Sequence, residues 1–189
     1  MKHNVIIFFT LLFSLFFSYS TTMANEEAIY DVVHKHNDYE IRLYQDRLII
    51  QTVMDEESGA FRKLFNYIGG ANKVSEKIKM TIPVTQTSDN NKTVMQFYLP
   101  SKFTKKTVPN PSNSEVTIET IREGYFAVIQ YSGRASEKNF TKHSDLLRQK
   151  LAKDKVSVKG FAIKATYNAP FAPPPFRRNE AMFRIDWNK

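Results

Sequence analysis

The sequence predicts an α+β domain in which short antiparallel strands and two helices are arranged as two similar halves. Three observations predict it. Hydrophobic alternation of period two recurs in short runs bounded by turn residues. Twice the period lengthens to that of an amphipathic helix. The order of segments (strands, helix, strands, loop, strands, helix, strands) then reads as one pattern used twice. With 189 residues, 42% hydrophobic and 13% aromatic, the chain holds enough apolar surface for one core and is short for two.

Residues 1–24 read as a secretory signal peptide. Lys2 and His3 form a basic start, Val5 to Phe17 an apolar run, and Thr22-Met23-Ala24 a small-residue cleavage site. An apolar run of about 13 residues is shorter than the roughly 20 that a spanning helix needs. The expectation is therefore a secreted or periplasmic mature chain of residues 25–189, one domain with no transmembrane span.

In the mature chain, Tyr30 to Lys35, Tyr39 to Tyr44 and Arg47 to Val53 form an antiparallel meander with turns at His36-Asn37-Asp38 and Gln45-Asp46. In Tyr39 to Tyr44 the odd positions, Tyr39, Ile41 and Leu43, share one face, and Glu40, Arg42 and Tyr44 share the other. Asp55, Glu56 and Glu57 mark a helix start. Phe61, Leu64, Phe65 and Ile68 supply its apolar stripe, and Gly69-Gly70 its end.

Lys77 to Ile82 reads as a one-faced strand stopped by Pro83, Val94 to Leu99 as another, and Pro100 to Ser114 as a loop. Strands at Glu115 to Ile121 and Tyr125 to Tyr131 lead to a turn at Ser132-Gly133. A helix over Ser136 to Lys153 follows, capped by Ser136, with Phe140, Ser144, Leu147 and Leu151 inward. Strands at Val156 to Tyr167 and Glu180 to Trp187 complete the order.

The chain has no cysteine, which excludes disulfides, thiolate nucleophiles, zinc-cysteine sites and iron–sulfur clusters. Its 27 basic against 19 acidic residues give a net charge of +8, a bias toward anionic partners. The basic residues are scattered, so nucleic acid is not expected as a partner. No hydrolase elbow, zinc-protease helix or phosphate-cradling glycine loop occurs. The histidines left for chemistry are His34 and His36, two apart and placed to share a metal or to sit solvated beside a turn, and His143, placed to pack on a helix.

Near the C-terminus, YNAPFAPPPFRRNE (Tyr167 to Glu180) carries four prolines within Pro170 to Pro175. They stiffen a loop that bears Phe171 and Phe176 beside Arg177 and Arg178. Rings beside paired guanidiniums suit a flat, anionic, partly apolar ligand. An ordered loop whose rings cover a barrel mouth is the alternative.

Two stretches, FRKLFNYIGGANKVSEKIKMTIPV (Phe61 to Val84) and YNAPFAPPPFRRNE, together with YEIRLY (Tyr39 to Tyr44), resemble the SOUL haem-binding protein family in order and spacing. The resemblance implies a distorted antiparallel β-barrel flanked by two helices and built from two βαβ-type halves. The same architecture resembles the effector-binding domains of some bacterial regulators, which hold amphipathic cations in a groove. The resemblance also implies a non-enzymatic binder of haem or another tetrapyrrole, held in an apolar cleft beside the first helix. Phe61 and Phe65 match cleft positions.

Two departures accompany the match. Leu43 stands where some members carry a candidate iron-ligating histidine, and Asn66 where a haem-binding member carries a lysine. Arg62, Lys63, Arg177 and Arg178 are the charges available to replace that lysine toward propionates, and Phe171 is a ring available from the loop. Alternative readings are a binder of another amphipathic small molecule and a structural cell-envelope protein with a filled groove.

Overall fold

The computed structural model describes residues 25–54, 59–89 and 92–188; the expected signal peptide and the acidic trio Asp55 to Glu57 lie outside them. Among the described residues eleven strands and two α-helices follow in chain order. The first half holds β1 (Glu26–Glu27), β2 (Tyr30–Lys35), β3 (Glu40–Tyr44), β4 (Arg47–Val53), α1 (Ala60–Ile68), β5 (Thr81–Ile82), β6 (Val84–Asp89) and β7 (Lys92–Tyr98). The second holds β8 (Thr117–Ile121), β9 (Gly124–Tyr131), α2 (Glu137–Lys153), β10 (Val158–Thr166) and β11 (Asn179–Ile185). The loop expected between Pro100 and Ser114 contains neither helix nor strand.

Nine strands form one curled antiparallel sheet in the order β2-β3-β9-β11-β10-β6-β7-β4-β8, a half-barrel, while β1 and β5 pair in parallel. The order exposes the repeat. In one half β4 leads through α1 to β6 and β7, lying as β4-β7-β6. In the other, β9 leads through α2 to β10 and β11, lying as β9-β11-β10. Each half is a split β-α-β unit. The halves meet where β6 pairs β10 through Val84↔Thr166, Thr85↔Ala165 and Gln86↔Lys164.

Strand alternation sends odd and even residues to opposite faces. On the outer face α1 packs over Ile50, Met95 and Phe97 through Ala60, Leu64, Tyr67 and Ile68. On the same face α2 packs over Ile41, Ile129, Ala181 and Phe183 through Leu147 and Leu151. The inner face gathers Tyr44, Phe126, Val128, Ala165 and Met182. Ile41 and Arg42 thus point to opposite sides, as the alternation in YEIRLY requires.

The segment expected as a strand from Lys77 shows how burial and pairing come apart. Ile78 is buried in the α1 core, but its amide donates to the Ile68 carbonyl (2.8 Å), and ladder pairing begins only at Thr81. Alternating burial without a neighbouring strand made the run look like β structure. Conversely β6 (VTQTSD) carries few apolar residues and was not expected, although Thr85 is fully buried.

The turn after α1 is tied by one side chain. Asn72, 4% exposed, donates from Nδ2 to the carbonyls of Tyr67 (3.3 Å) and Glu76 (2.7 Å). Its Oδ1 accepts from the amides of Val74 (3.3 Å) and Glu76 (3.0 Å). Gly70, at φ 115°, supplies the left-handed residue that ends the helix; Gly69 is right-handed.

Candidate site beside the first helix

Helix α1 spans nine residues with Gly59 at its N-cap and no side-chain cap. The sequence pattern placed Phe61 and Phe65 in its inner stripe. The structure keeps Leu64 and Ile68 inward and sets Ala60 and Tyr67 beside them in place of the phenylalanines, leaving Phe61 48% and Phe65 52% exposed. At about 100° per residue both sets fit a helical period, and the meeting with β4 and β7 selects one.

The outward rings are organised. Phe61 and Phe65 stack at 5.8 Å and 16°, and Phe61 meets Phe97 edge-on at 5.2 Å. Beside them lies an open cleft of about 540 Å³, lined among the described residues by Met54, Gly59, Ala60, Phe61, Arg62 and Met95. Arg62 lays its guanidinium against Gly59. Lys63, one residue on, reaches Glu115 (2.9 Å). Stacked rings, thioethers and two cations on one helix suit a flat apolar body with anionic edges.

The C-terminal loop is built differently. Phe171 is 91% exposed at its tip. Arg177 donates to the Ala172 (2.7 Å) and Pro170 carbonyls, pinning the loop to itself. Arg178 pairs Glu27 (2.8 and 3.0 Å), donates to Glu180 (2.9 and 3.1 Å) and lies 3.7 Å over the Tyr167 ring. Among the described residues no hydrogen bond or ring contact joins this loop to α1. Phe61, Arg62, Lys63 and Phe65 are therefore brought together, and Phe171, Arg177 and Arg178 form a second, separate group.

Arg178 belongs to an inner-face network absent from the sequence expectations. Glu180, fully buried, accepts from Arg42 (3.0 to 3.2 Å), Arg178 and the Tyr167 hydroxyl (2.6 Å). Burial opposes the Arg42 cation most strongly, but the Glu180 carboxylate together with Tyr44 and Tyr30 outweighs it, so the Arg42 pKa is raised. Burial and then Glu180 push the Tyr167 phenol up. Arg42 and Glu180 are 138 residues apart, and the one local signal was Tyr44, an aromatic sharing the supposedly polar face of β3.

The histidines lie elsewhere. His34 and His36 are neighbours (ring centroids 4.4 Å apart), packed with Trp187 and Tyr39. His143 stacks on Tyr131 at 4.0 Å, its Nδ1 2.7 Å from the Asn139 carbonyl. Leu43 shares the face of Ile41, away from Arg42. Among the described residues no group of three histidine or carboxylate side chains is placed to hold a metal, and no helix is long and apolar enough to cross a membrane.

Fold and cleft together define an α+β half-barrel with a small-molecule-sized recess beside its first helix. The particular family follows from sequence: the profile of the SOUL heme-binding proteins matches residues 25–184, and the chain belongs to that family. Heme-binding protein 1 of Mus musculus is 32% identical over 132 residues, covering 64% of this chain and 67% of the mouse protein. Among solved structures the EcmrR C-terminal domain superposes with a TM-score of 0.58 at 11% identity, covering 84% of this chain and 98% of its own. A hydrolase from Listeria innocua gives 0.53 at 14% identity, covering 82% and 94%. At such identities these two share the fold.

Proposed function

We propose that the chain is a non-enzymatic binder of haem or a related tetrapyrrole, exported by its N-terminal segment, with the cleft beside α1 as the site. The observation that carries this is the stacked, half-exposed pair Phe61–Phe65 at the rim of a recess whose described walls are Met54, Met95 and Arg62. Exposed aromatic pairs are costly to leave in water and serve where a flat ligand covers them. Family membership supports the class of ligand. Phe61 and Phe65 take a macrocycle face, while Arg62 and Lys63 meet carboxylates at its edge; the exposed Lys63–Glu115 pair is weak enough to yield.

The residues fit the macrocycle better than its iron. None of the three described histidines lines the cleft, and its sulfur donors are thioethers, which ligate haem iron in some proteins. Arg177 and Arg178 enter this reading as scaffold, with Phe171 left as a ring that a bound ligand reaches only from the loop side. Titration of residues 25–189 with haem and with metal-free protoporphyrin tests it. A Soret shift or fluorescence change saturating in the micromolar range, and weakened by Phe61→Ala with Phe65→Ala, is expected. No spectral change with either ligand overturns it.

A further inference from the structure

A second recess, sharing no described lining residue with the cleft beside α1, opens at the β4–β8 edge of the half-barrel, where its Leu48, Leu99 and Phe103 back onto the α1 core. It holds about 520 Å³ between the β1 arm, the β4 start, the end of β8 and the segment Tyr98 to Lys105, a size ordinary for small-molecule sites. Ile29, Leu48, Leu99, Pro100 and Phe103 make much of the wall apolar.

Three carboxylates (Glu26, Glu27, Asp46) and three cations (Arg47, Lys105, Arg122) line the recess, and among the described residues Arg47 and Lys105 are the cations without a carboxylate partner. Arg47 lies over Tyr44 (4.0 Å), Phe126 (5.1 Å) and Tyr98 (5.3 Å). Its Nε and Nη2 are sealed from solvent without a hydrogen-bond partner, and among the described residues it joins no ion pair. The carboxylates of the same wall are engaged elsewhere. Glu27 pairs Arg178, Asp46 takes Arg122 and the Glu123 amide, and Glu26 accepts from the Ser101 amide. Lys105 adds a further cation, and the Thr120 hydroxyl on this wall is also buried without a partner. A cation held on rings without a counter-ion is an unmet electrostatic demand, and a planar anion answers it.

We infer that this recess binds an amphipathic monocarboxylate, its head group at the Arg47 guanidinium and its aliphatic body along Ile29, Leu99 and Phe103. The site is independent of the tetrapyrrole proposal, since it shares no described lining residue with the α1 cleft. With Glu27 and Asp46 paired to Arg178 and Arg122, Glu26 is the one lining carboxylate without a cation among the described residues, against Arg47 and Lys105, so the recess favours an amphipathic anion over a cation.

Calorimetric titration of residues 25–189 with dodecanoate, dodecanol and dodecyltrimethylammonium, each below its micelle concentration, tests the inference. Dodecanoate binds, the other two bind at least roughly tenfold more weakly, and Arg47→Gln lowers dodecanoate affinity by about tenfold or more. Arg47→Lys retains part of it, because the charge remains while the stacking of the guanidinium on Tyr44, Tyr98 and Phe126 is lost. Phe103→Ala, on the wall away from the stacked guanidinium, weakens dodecanoate as well and supplies the test if Arg47→Gln does not fold. Equal affinity for the ammonium amphipath, unchanged affinity in the folded variants, or no dodecanoate binding overturns it.

Discussion

The two helices occupy matching places on the outer face of the sheet, each following the first strand of its split β-α-β unit, β4 or β9, yet they are finished in opposite ways. Helix α2 has 17 residues, a Ser136 cap accepting from the Asn139 amide, Glu137 in its first turn and Lys150 and Lys153 in its last. Every end is matched to the helix dipole. Helix α1 has nine residues, begins at a left-handed glycine, carries no charge complementary to its dipole in its terminal turns and shows two phenylalanines to solvent. Where one repeat spends its outer surface on charge, the other keeps apolar area uncovered. Equivalent position with unequal finish separates the scaffold role of α2 from the binding role proposed for α1.

The comparison holds that both helices are docked equally well and differ only outside. Leu147→Ala and Leu64→Ala, both at fully buried positions, should each cost about 2–5 kcal/mol by urea unfolding. A much smaller cost for Leu64→Ala would show α1 held more loosely than α2, so that the two would differ in docking as well as in surface.

Next in size is an alkaline effect at α1. Burial, with Glu76 nearby, raises the Tyr67 pKa from 10.0 to about 12. Its folded value lies above its unfolded one, so the associated stability is complete below about pH 10 and falls away as pH rises toward 12. The loss is on the order of 1–3 kcal/mol. Tyr67→Phe should lessen the fall of the unfolding free energy across that window by one group's share, Tyr39, Tyr44, Tyr131 and Tyr167 supplying the rest, and an unchanged slope would count against the assignment.

Smaller still, Phe65→Ala should reduce porphyrin affinity about tenfold, near 1.4 kcal/mol, while leaving the unfolding midpoint within about 0.5 kcal/mol. Loss of stability without loss of binding would make Phe65 structural and remove the distinction between the helices. Finally, Ser136→Ala should cost about 1 kcal/mol in thermal unfolding and leave porphyrin binding unchanged.

Much of the fold was legible because local period and tertiary pairing agree for most elements. The strands from Tyr125 and Val156 and the helix after Ser136 all fall where alternation, glycine and capping put them. Disagreement came where a residue's surroundings are made by distant chain. Thr85 reads as loop until Gln96 accepts from its hydroxyl at 3.0 Å. Ile78 reads as strand until its amide turns to α1. At the site, the motif residues Phe61, Arg62, Lys63 and Phe65 announced themselves, but which way they face did not, since two stripes that share Leu64 and Ile68 satisfy the same period. Arg47 carried no local signal, because its rings come from the end of β3, from β7 and from β9.

Asn72 gives the motif asparagine a reason that has nothing to do with a ligand. Its side chain gives two hydrogen bonds to carbonyls and takes two from amides. A hydroxyl can give only one hydrogen bond, and the asparagine amide is the smallest neutral side chain able to give two and take two at once. Aspartate, identical in outline, would aim a second oxygen at the Tyr67 and Glu76 carbonyls. A single-atom exchange there, nitrogen for oxygen, would change attraction into repulsion and free the turn that sets how α1 is rotated on the sheet. The family signature is in this respect a protractor: it fixes an angle, and the angle decides that phenylalanines rather than leucines meet whatever comes to the cleft.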